Sequence, residues 1–401
     1  MKQTLVAAAA LLLLPGVAQA DTQTFKIGVL NDQSSLYSDL TGSGSVTAAK
    51  MAVEDFGGKV LDRPIEIVTA DHQNKADVGS AIARRWIDVD GVQVIVDVPA
   101  SSVAFAVQEI ARETKTPFLI SGAASSDLTG KACSPYSVHW TYDTYALAAG
   151  TARGVVRTGG KDWFFITQDN AFGQSLQRDI SKFVEEAGGK VLGSVSHPLN
   201  TSDFSSYLLQ AQAAKPQVVA LATAGSDFTN ALKQSSEFGL VDNGIKIVGT
   251  SVTINDVHSL GLDTAKGVQF AAPFYWDQTP ETREWSERFK AVEGKMPNHI
   301  HAGVYGAVKH YLEAVQAVGP KALEDRVTIV EKMKETPIND FFTKDGKIRA
   351  DGKVLRPFYL FEVKAPDESR GEWDLLKELE VIPAEDTAVP LADSACPMVK
   401  S

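Results

Sequence analysis

The residues best suited to chemistry in this sequence are hydroxyl-bearing and small ones, gathered in short sets behind apolar runs. Asn31-Asp32-Gln33-Ser34-Ser35-Leu36-Tyr37 follows one run, Pro99-Ala100-Ser101-Ser102 a second, and Ser121-Gly122-Ala123-Ala124-Ser125-Ser126 a third. Further along stand Gln168-Asp169-Asn170-Ala171-Phe172-Gly173, Thr223-Ala224-Gly225-Ser226-Asp227 and Thr250-Ser251-Val252-Thr253. A serine at a helix start, beside free backbone N–H groups, suits a carboxylate. Small residues let backbone approach a solute. Taken singly, Ser101, Ser102 or Ser125 reads more readily as an N-cap. Several such loops converging in one cleft read as a binding site.

Signatures of catalysis are sparse. No phosphate loop of the G-x-x-x-x-G-K-[ST] type, no G-x-G-x-x-G after a strand and no G-x-S-x-G elbow occurs. Gly42-Ser43-Gly44-Ser45 is glycine-rich but reads as an ordinary loop. His299 and His301 stand two apart at a helix start, so they point to different faces and make a poor metal pair. Solvent-facing or capping histidines are the expectation there. The carboxylates are scattered rather than paired for acid–base work. An enzyme is therefore not expected, and no cofactor or metal is implied.

The elements that must position these sets alternate. Strand-like segments are Phe25–Leu30, Ile65–Val68, Val92–Val96 and Pro117–Ile120, with helical periodicity over Val46–Phe56, Val78–Val89 and Ser101–Glu113 between them. The rhythm restarts after Thr141. Helices are expected over Tyr145–Val156, Gly173–Ala187, Ser205–Ala214 and Thr229–Phe238. Strands are expected over Trp163–Thr167, Val191–Val195, Val218–Ala222 and Ile245–Gly249. A helical tract over Glu281–Ala291 and Ala302–Val318 and a late strand, Phe358–Lys364, follow, and the tail from Pro383 lacks periodicity. Such β-α-β-α alternation with Val/Ile-rich strands implies parallel sheets covered by helices on both faces. Two such sets make an α/β protein of two related lobes. No flexible Gly/Ser linker parts them, which implies a stiff hinge of a few crossing strands.

The N-terminus has the order of a cleaved signal peptide over residues 1–20. Lys2 is the only charge before Asp21, Leu5–Leu14 is apolar, and Ala18-Gln19-Ala20 is a small-x-small cleavage site. The apolar stretch falls short of the roughly 20 residues that span a bilayer. A periplasmic protein beginning near Asp21 is expected. The formal charge of −11 argues against nucleic acid and anionic lipid as partners. Export also bears on the two cysteines, Cys133 and Cys396. Oxidising compartments favour a disulfide, and two buried free thiols are the alternative.

At this point the chain resembles the type I periplasmic solute-binding proteins of ABC transporters, in the branched-chain amino-acid (leucine-binding) family. The stretches that carry the likeness are Lys26-Ile27-Gly28-Val29-Leu30, Ala48-Ala49-Lys50-Met51-Ala52-Val53, Pro117-Phe118-Leu119-Ile120-Ser121-Gly122-Ala123-Ala124, Asp169-Asn170-Ala171-Phe172-Gly173 and Ala302-Gly303-Val304-Tyr305. Phe274-Tyr275-Trp276-Asp277, Gly294-Lys295-Met296-Pro297 and Cys396-Pro397 are similar to a narrower subgroup that binds aromatic carboxylates. The resemblance implies two Rossmann-like lobes joined by three crossings. Lobe one would hold residues 21–141 plus 275–347, and lobe two 142–274 plus 348–385. The tail, 386–401, would return toward Cys133. It implies a monomer that hands its solute to membrane permease and ATPase subunits.

The same resemblance assigns ligand-binding roles. Ser101 or Ser102, with the backbone and hydroxyl of Ala123, Ala124 and Ser125, would grip a carboxylate. Tyr37 and Phe172 would flank the ligand, with Trp276 a further candidate, and the loop of Ala224-Gly225-Ser226 would contribute from lobe two. The amino-acid binders place an acid after the strand matching Ile245–Gly249, where it pairs the ligand ammonium. Here Thr250-Ser251-Val252 stands there, and no acid appears before Asp256. A small carboxylate, aromatic rather than leucine-like, is therefore the expected ligand. Asp227 as a substitute acid keeps amino acids open, and a ligand sensor of the same fold is the further alternative.

Overall fold

The computed structural model describes residues 24–399; the signal-peptide reading lies outside them. The first sheet is built from β1 (Phe25–Asn31), β2 (Lys59–Val60), β3 (Arg63–Asp71), β4 (Val92–Asp97), β5 (Phe118–Ile120) and β6 (Ser137–His139), in the order β2-β3-β1-β4-β5-β6. Its pairs are parallel apart from the β2–β3 hairpin. The strand β1 is central and buried on both faces, so it reads as a near-continuous apolar run, with Ile27 in register with Ile67 and Val94. Helices α1 (Gly42–Phe56), α2 (Ala76–Asp88) and α3 (Ser101–Thr114) cross over between its strands.

The second lobe opens with α4 (Thr144–Arg157) and alternates β7 (Asp162–Gln168), α5 (Ala171–Glu186), β8 (Lys190–His197), α6 (Ser205–Ala213), β9 (Val218–Ala222), α7 (Ser226–Glu237) and β10 (Lys246–Gly249). After α8 (Ile254–Leu260) and α9 (Leu262–Ala265) comes β11 (Gln269–Ala272). The chain then returns to the first lobe as α10 (Pro280–Glu293), α11 (His299–Val318) and α12 (Val327–Glu335). There Trp285, Phe289, Val304, Val308 and Met333 pack with Ile27 and Val94 in one apolar cluster. A ribbon of β12 (Lys347–Ile348) and β13 (Val354–Leu355) follows, and its Ile348 and Val354 join that cluster. Finally β14 (Phe358–Val363) and β15 (Leu376–Ile382) add to the second sheet, whose order is β15-β14-β11-β10-β9-β7-β8. Both late strands are antiparallel to their neighbours.

The chain thus passes between the sheets after β6, after β11 and after β13. An ion pair between Lys353 and Asp143 (2.8 Å), both buried, ties the ribbon to the first passage. Cys133 and Cys396 form a disulfide with Cα atoms 5.6 Å apart, as the exported context favours. The segment between β15 and Cys396 contains only short 3₁₀ turns and is held on the way by Arg349 Nη1, which donates to Val389 O at 2.7 Å.

Two readings of the sequence need correction. Gly42–Ser45 is no loop but the first turn of α1. Its glycines lack the apolar periodicity that marks a helix, and they permit close packing instead: a Cβ on Gly44 would lie 2.4 Å from His301 Nε2. His299 and His301 do not face solvent; they are 3% and 0% exposed. His301 does cap, its Nδ1 accepting the Asn298 N–H at 3.2 Å, while His299 packs edge-on against Tyr142. Burial pushes both imidazoles down to about 3, so both are neutral. Among the described residues no group of His, Cys, Asp and Glu could hold a metal ion, and no helix is long and apolar enough to cross a membrane.

Candidate ligand-binding cleft

The loops at the carboxyl ends of the strands meet between the lobes, where open α/β sheets place their ligands. The loop after β1 is organised by Asp32. Its carboxylate accepts from the N–H of Ser35 (3.0 Å), the N–H of Tyr37 (2.7 Å) and Asn74 Nδ2 (2.6 Å). That clamp fixes Tyr37, whose hydroxyl reaches across the cleft and donates to Gln168 Oε1 at 2.7 Å. Gln168 in turn donates through Nε2 to Asp227 Oδ2 at 2.9 Å. Asp227 also accepts the Asn200 N–H, and burial pushes its carboxyl upward.

Backbone closes the same seam. Ser226 N–H points at Leu36 O at 3.4 Å. Gly225, with φ +64°, sits so close that a Cβ would lie 2.4 Å from Leu36 O, so only glycine serves there. Asn298 Nδ2 donates to Leu40 O (3.0 Å) and to Asn255 Oδ1 (2.9 Å), linking the lobes again.

These contacts leave a cavity of about 20 Å³, room for roughly one water. Its walls are Tyr37, Leu40, Pro99, Gly122, Ala124, Tyr142, Phe172, Ala224, Ser251 and Ile300. Phe172 is presented by the first turn of α5, which Asn170 caps through Oδ1 to the Gly173 N–H at 2.8 Å. Tyr142, on the first passage, donates to Gly122 O at 2.8 Å. Burial pushes the phenols of Tyr37 and Tyr142 upward, so both stand as neutral hydroxyls.

Of the residues singled out in the sequence, Tyr37, Ala124, Phe172 and Ser251 line this cavity. Ser101 and Ser125 stand one residue beyond wall positions or their neighbours, on α3 and on the loop after β5. Ser101 Oγ accepts the Ser125 N–H at 3.2 Å, and Ser125 Oγ is buried without a partner. Ala123 is buried beside them, its carbonyl 2.8 Å from His139 Nε2. Three residues are placed elsewhere. Ser102 is exposed, because neighbouring helical residues point about 100° apart and Ser101 takes the inward direction. The exposed Ser226 contributes its N–H to the seam rather than its hydroxyl to the cavity. Trp276 lies outside, its Nε1 donating to Trp373 O at 2.9 Å. Sequence reasoning missed Leu40, Tyr142 and Ile300 as wall residues. Tyr142 was legible as the aromatic at the first passage, and Ile300 as the apolar residue behind the Asn298 cap. Nothing in the sequence marks Leu40.

Behind the wall lies Asp97, fully buried at the end of β4. Burial pushes its carboxyl up to about 7. Asp97 (φ +82°) and Val98 (φ +54°) both adopt left-handed backbone, which is costly for a β-branched residue and recurs at ligand clamps. This strained step turns the chain from β4 into Pro99 and the start of α3.

Comparison with known proteins agrees with this architecture. The chain is 25% identical over 380 residues to a Leu/Ile/Val-binding protein homolog 6 of Brucella melitensis, covering 92% of this chain and 94% of that one. A solved periplasmic binding protein from Burkholderia mallei superposes with a TM-score of 0.91 at 44% identity, covering 94% of this chain and 99% of that one. A branched chain amino acid ABC transporter periplasmic ligand-binding protein from Burkholderia xenovorans gives 0.83 at 37% identity, covering 94% and 100%. The family profile described as periplasmic binding protein matches residues 24–371. This chain therefore belongs to the periplasmic binding proteins, solute-binding partners of ABC transporters of the branched-chain amino-acid type and not enzymes.

Proposed function

We propose that the two lobes close about the three passages to capture a small aromatic carboxylate, which the protein carries to the permease and ATPase subunits of its transporter. The observation that carries this reading is the chemistry of the cavity wall. It offers Tyr37, Tyr142 and Phe172 as flat partners, apolar Leu40 and Ile300, and no acidic side chain. A buried ammonium without an opposite charge costs several kcal/mol. Where the family places its acid, Ser251 lines the cavity and Thr250 spends its hydroxyl on Leu221 O at 2.7 Å. Asp256 is occupied by the Thr253 cap. For the carboxylate we assign Ser101, with Ser125 and the backbone of Ala123 and Ala124.

A second reading, an amino-acid ligand, is favoured by Asp227, a buried carboxyl one hydrogen bond behind Gln168. The names of the Leu/Ile/Val-binding relatives support it too. Calorimetry of the mature protein with benzoate, 4-hydroxycinnamate, leucine and valine decides between them. We expect an aromatic acid to bind and the amino acids to give no heat. Tight leucine binding with no response to the aromatic acids would overturn the assignment.

A further inference from the structure

Gln168 ends β7 on the second lobe, and its side chain is fully buried. Its amide joins three groups. Oε1 accepts the Tyr37 hydroxyl at 2.7 Å and Asn170 Nδ2 at 2.9 Å, and Nε2 donates to Asp227 Oδ2 at 2.9 Å. An amide can be turned end for end, and its partners decide which end faces which way. Here two constraints agree. Asn170 spends Oδ1 on the Gly173 N–H at the start of α5, so it turns Nδ2 toward Gln168. Asp227, fully buried in the first turn of α7, is steadied by the Asn200 N–H at 3.2 Å and turns an acceptor toward Gln168. A reversed amide would set Nε2 against the Asn170 donor and Oε1 against the Asp227 acceptor. Gln168 therefore presents an oxygen across the cleft, and Tyr37 must donate to it. Tyr37 belongs to the first lobe and lines the small cavity, so this bond exists only with the lobes together. Closing the lobes on an unpaired Gln168 carbonyl or Tyr37 hydroxyl would bury a polar group without a partner, which is costly.

We propose that Gln168 is the latch of the closed form and that Asp227 is its positioning residue. Asp227 holds the amide with its oxygen toward Tyr37, and the Tyr37 hydroxyl completes closure over the solute. Asp227 thus acts on the solute through Gln168 and Tyr37, and not as a counter-charge to it. The proposal rests on capture by lobe closure and holds for an aromatic acid or an amino acid alike.

A double-mutant cycle tests it, read by calorimetry with benzoate and with leucine on the protein from Asp21 onward. With whichever solute binds, affinity should fall about fivefold in Tyr37→Phe and about fivefold in Asp227→Leu. It should fall no further when the two are combined, because both changes break the same latch. Asp227→Asn keeps an acceptor for Gln168 Nε2 without the charge, and should restore most of what Asp227→Leu loses. Melting curves without solute identify a variant that fails to fold; if Asp227→Leu is one, Asp227→Ala carries the same cycle. Losses that add in the combined variant, or an Asp227→Asn as weak as Asp227→Leu, would overturn the latch and leave capture standing. Binding of neither solute would remove the capture reading and the latch with it.

Discussion

Asp97 shows how one residue can shape the site and leave a signature in stability. Unfolded, its carboxyl titrates near 3.8; folded, burial raises it to about 7. The folded state therefore holds a proton that the unfolded state has lost. The stability this contributes is complete below about pH 4 and is lost as pH rises through 7. Each pH unit between the two values is worth about 1.4 kcal/mol. Asp97→Asn keeps the shape without the charge. Its melting temperature should exceed that of the parent at pH 8, by the equivalent of about 2–4 kcal/mol, and match it near pH 3. Equal pH dependence in the two proteins, followed by calorimetry, would refute a buried neutral carboxyl. Side-chain positions were only partly legible at this scale. Residue type and position after a strand found Tyr37, Phe172 and Ser251. They could not distinguish Ser101 from Ser102, which depends on helix phase at the first turn. Trp276 misled because an aromatic near a passage reads the same whether it faces the cleft or Trp373.

Among the elements, the buried parallel strands were legible because both faces are covered and their sequences are nearly all apolar. The strands that escaped are β2, β12 and β13, two residues each, β6 and β11, three and four residues long, and β15, whose Lys377, Glu378 and Glu380 belong to a sheet edge. Helix starts were read late in α1, α7 and α11, because their first turns hold Gly, Ser, Asp or His rather than periodic apolar residues. The tail is the element whose purpose only the fold explains. It leaves β15 on the second sheet and ends bonded to Cys133 beside the first, a covalent strap across the passages. Closing a loop across a separation of 263 residues should stabilise the protein by about 2–4 kcal/mol. Cys396→Ser paired with Cys133→Ser should lower the urea midpoint accordingly, and adding a reductant should change the parent but not the double variant. A midpoint unmoved by both treatments would mean that the strap bears no load.

Across the whole molecule, two mostly parallel sheets are linked by short passages, and the seam between them is bridged by polar contacts: Tyr37 on Gln168, Leu36 on Ser226, Asn298 on Asn255, Asn255 on Met296, and Ser126 and Asp127 on Asp179 and Arg178. Hydrogen bonds and ion pairs of this kind can be exchanged for water, so the seam is suited to opening and reclosing, as in hinge closure around a ligand. The contacts that seal it form only with the lobes together, which couples capture to closure. Gly225 is the most exacting of them, since a methyl group there meets Leu36 O. Small-angle scattering of the protein from Asp21 onward, with and without saturating benzoate, tests this account most directly. The account predicts that the radius of gyration shrinks with benzoate, stays unchanged with leucine, and fails to shrink in Gly225→Ala. The same compactness with and without benzoate, or contraction with leucine alone, would contradict it.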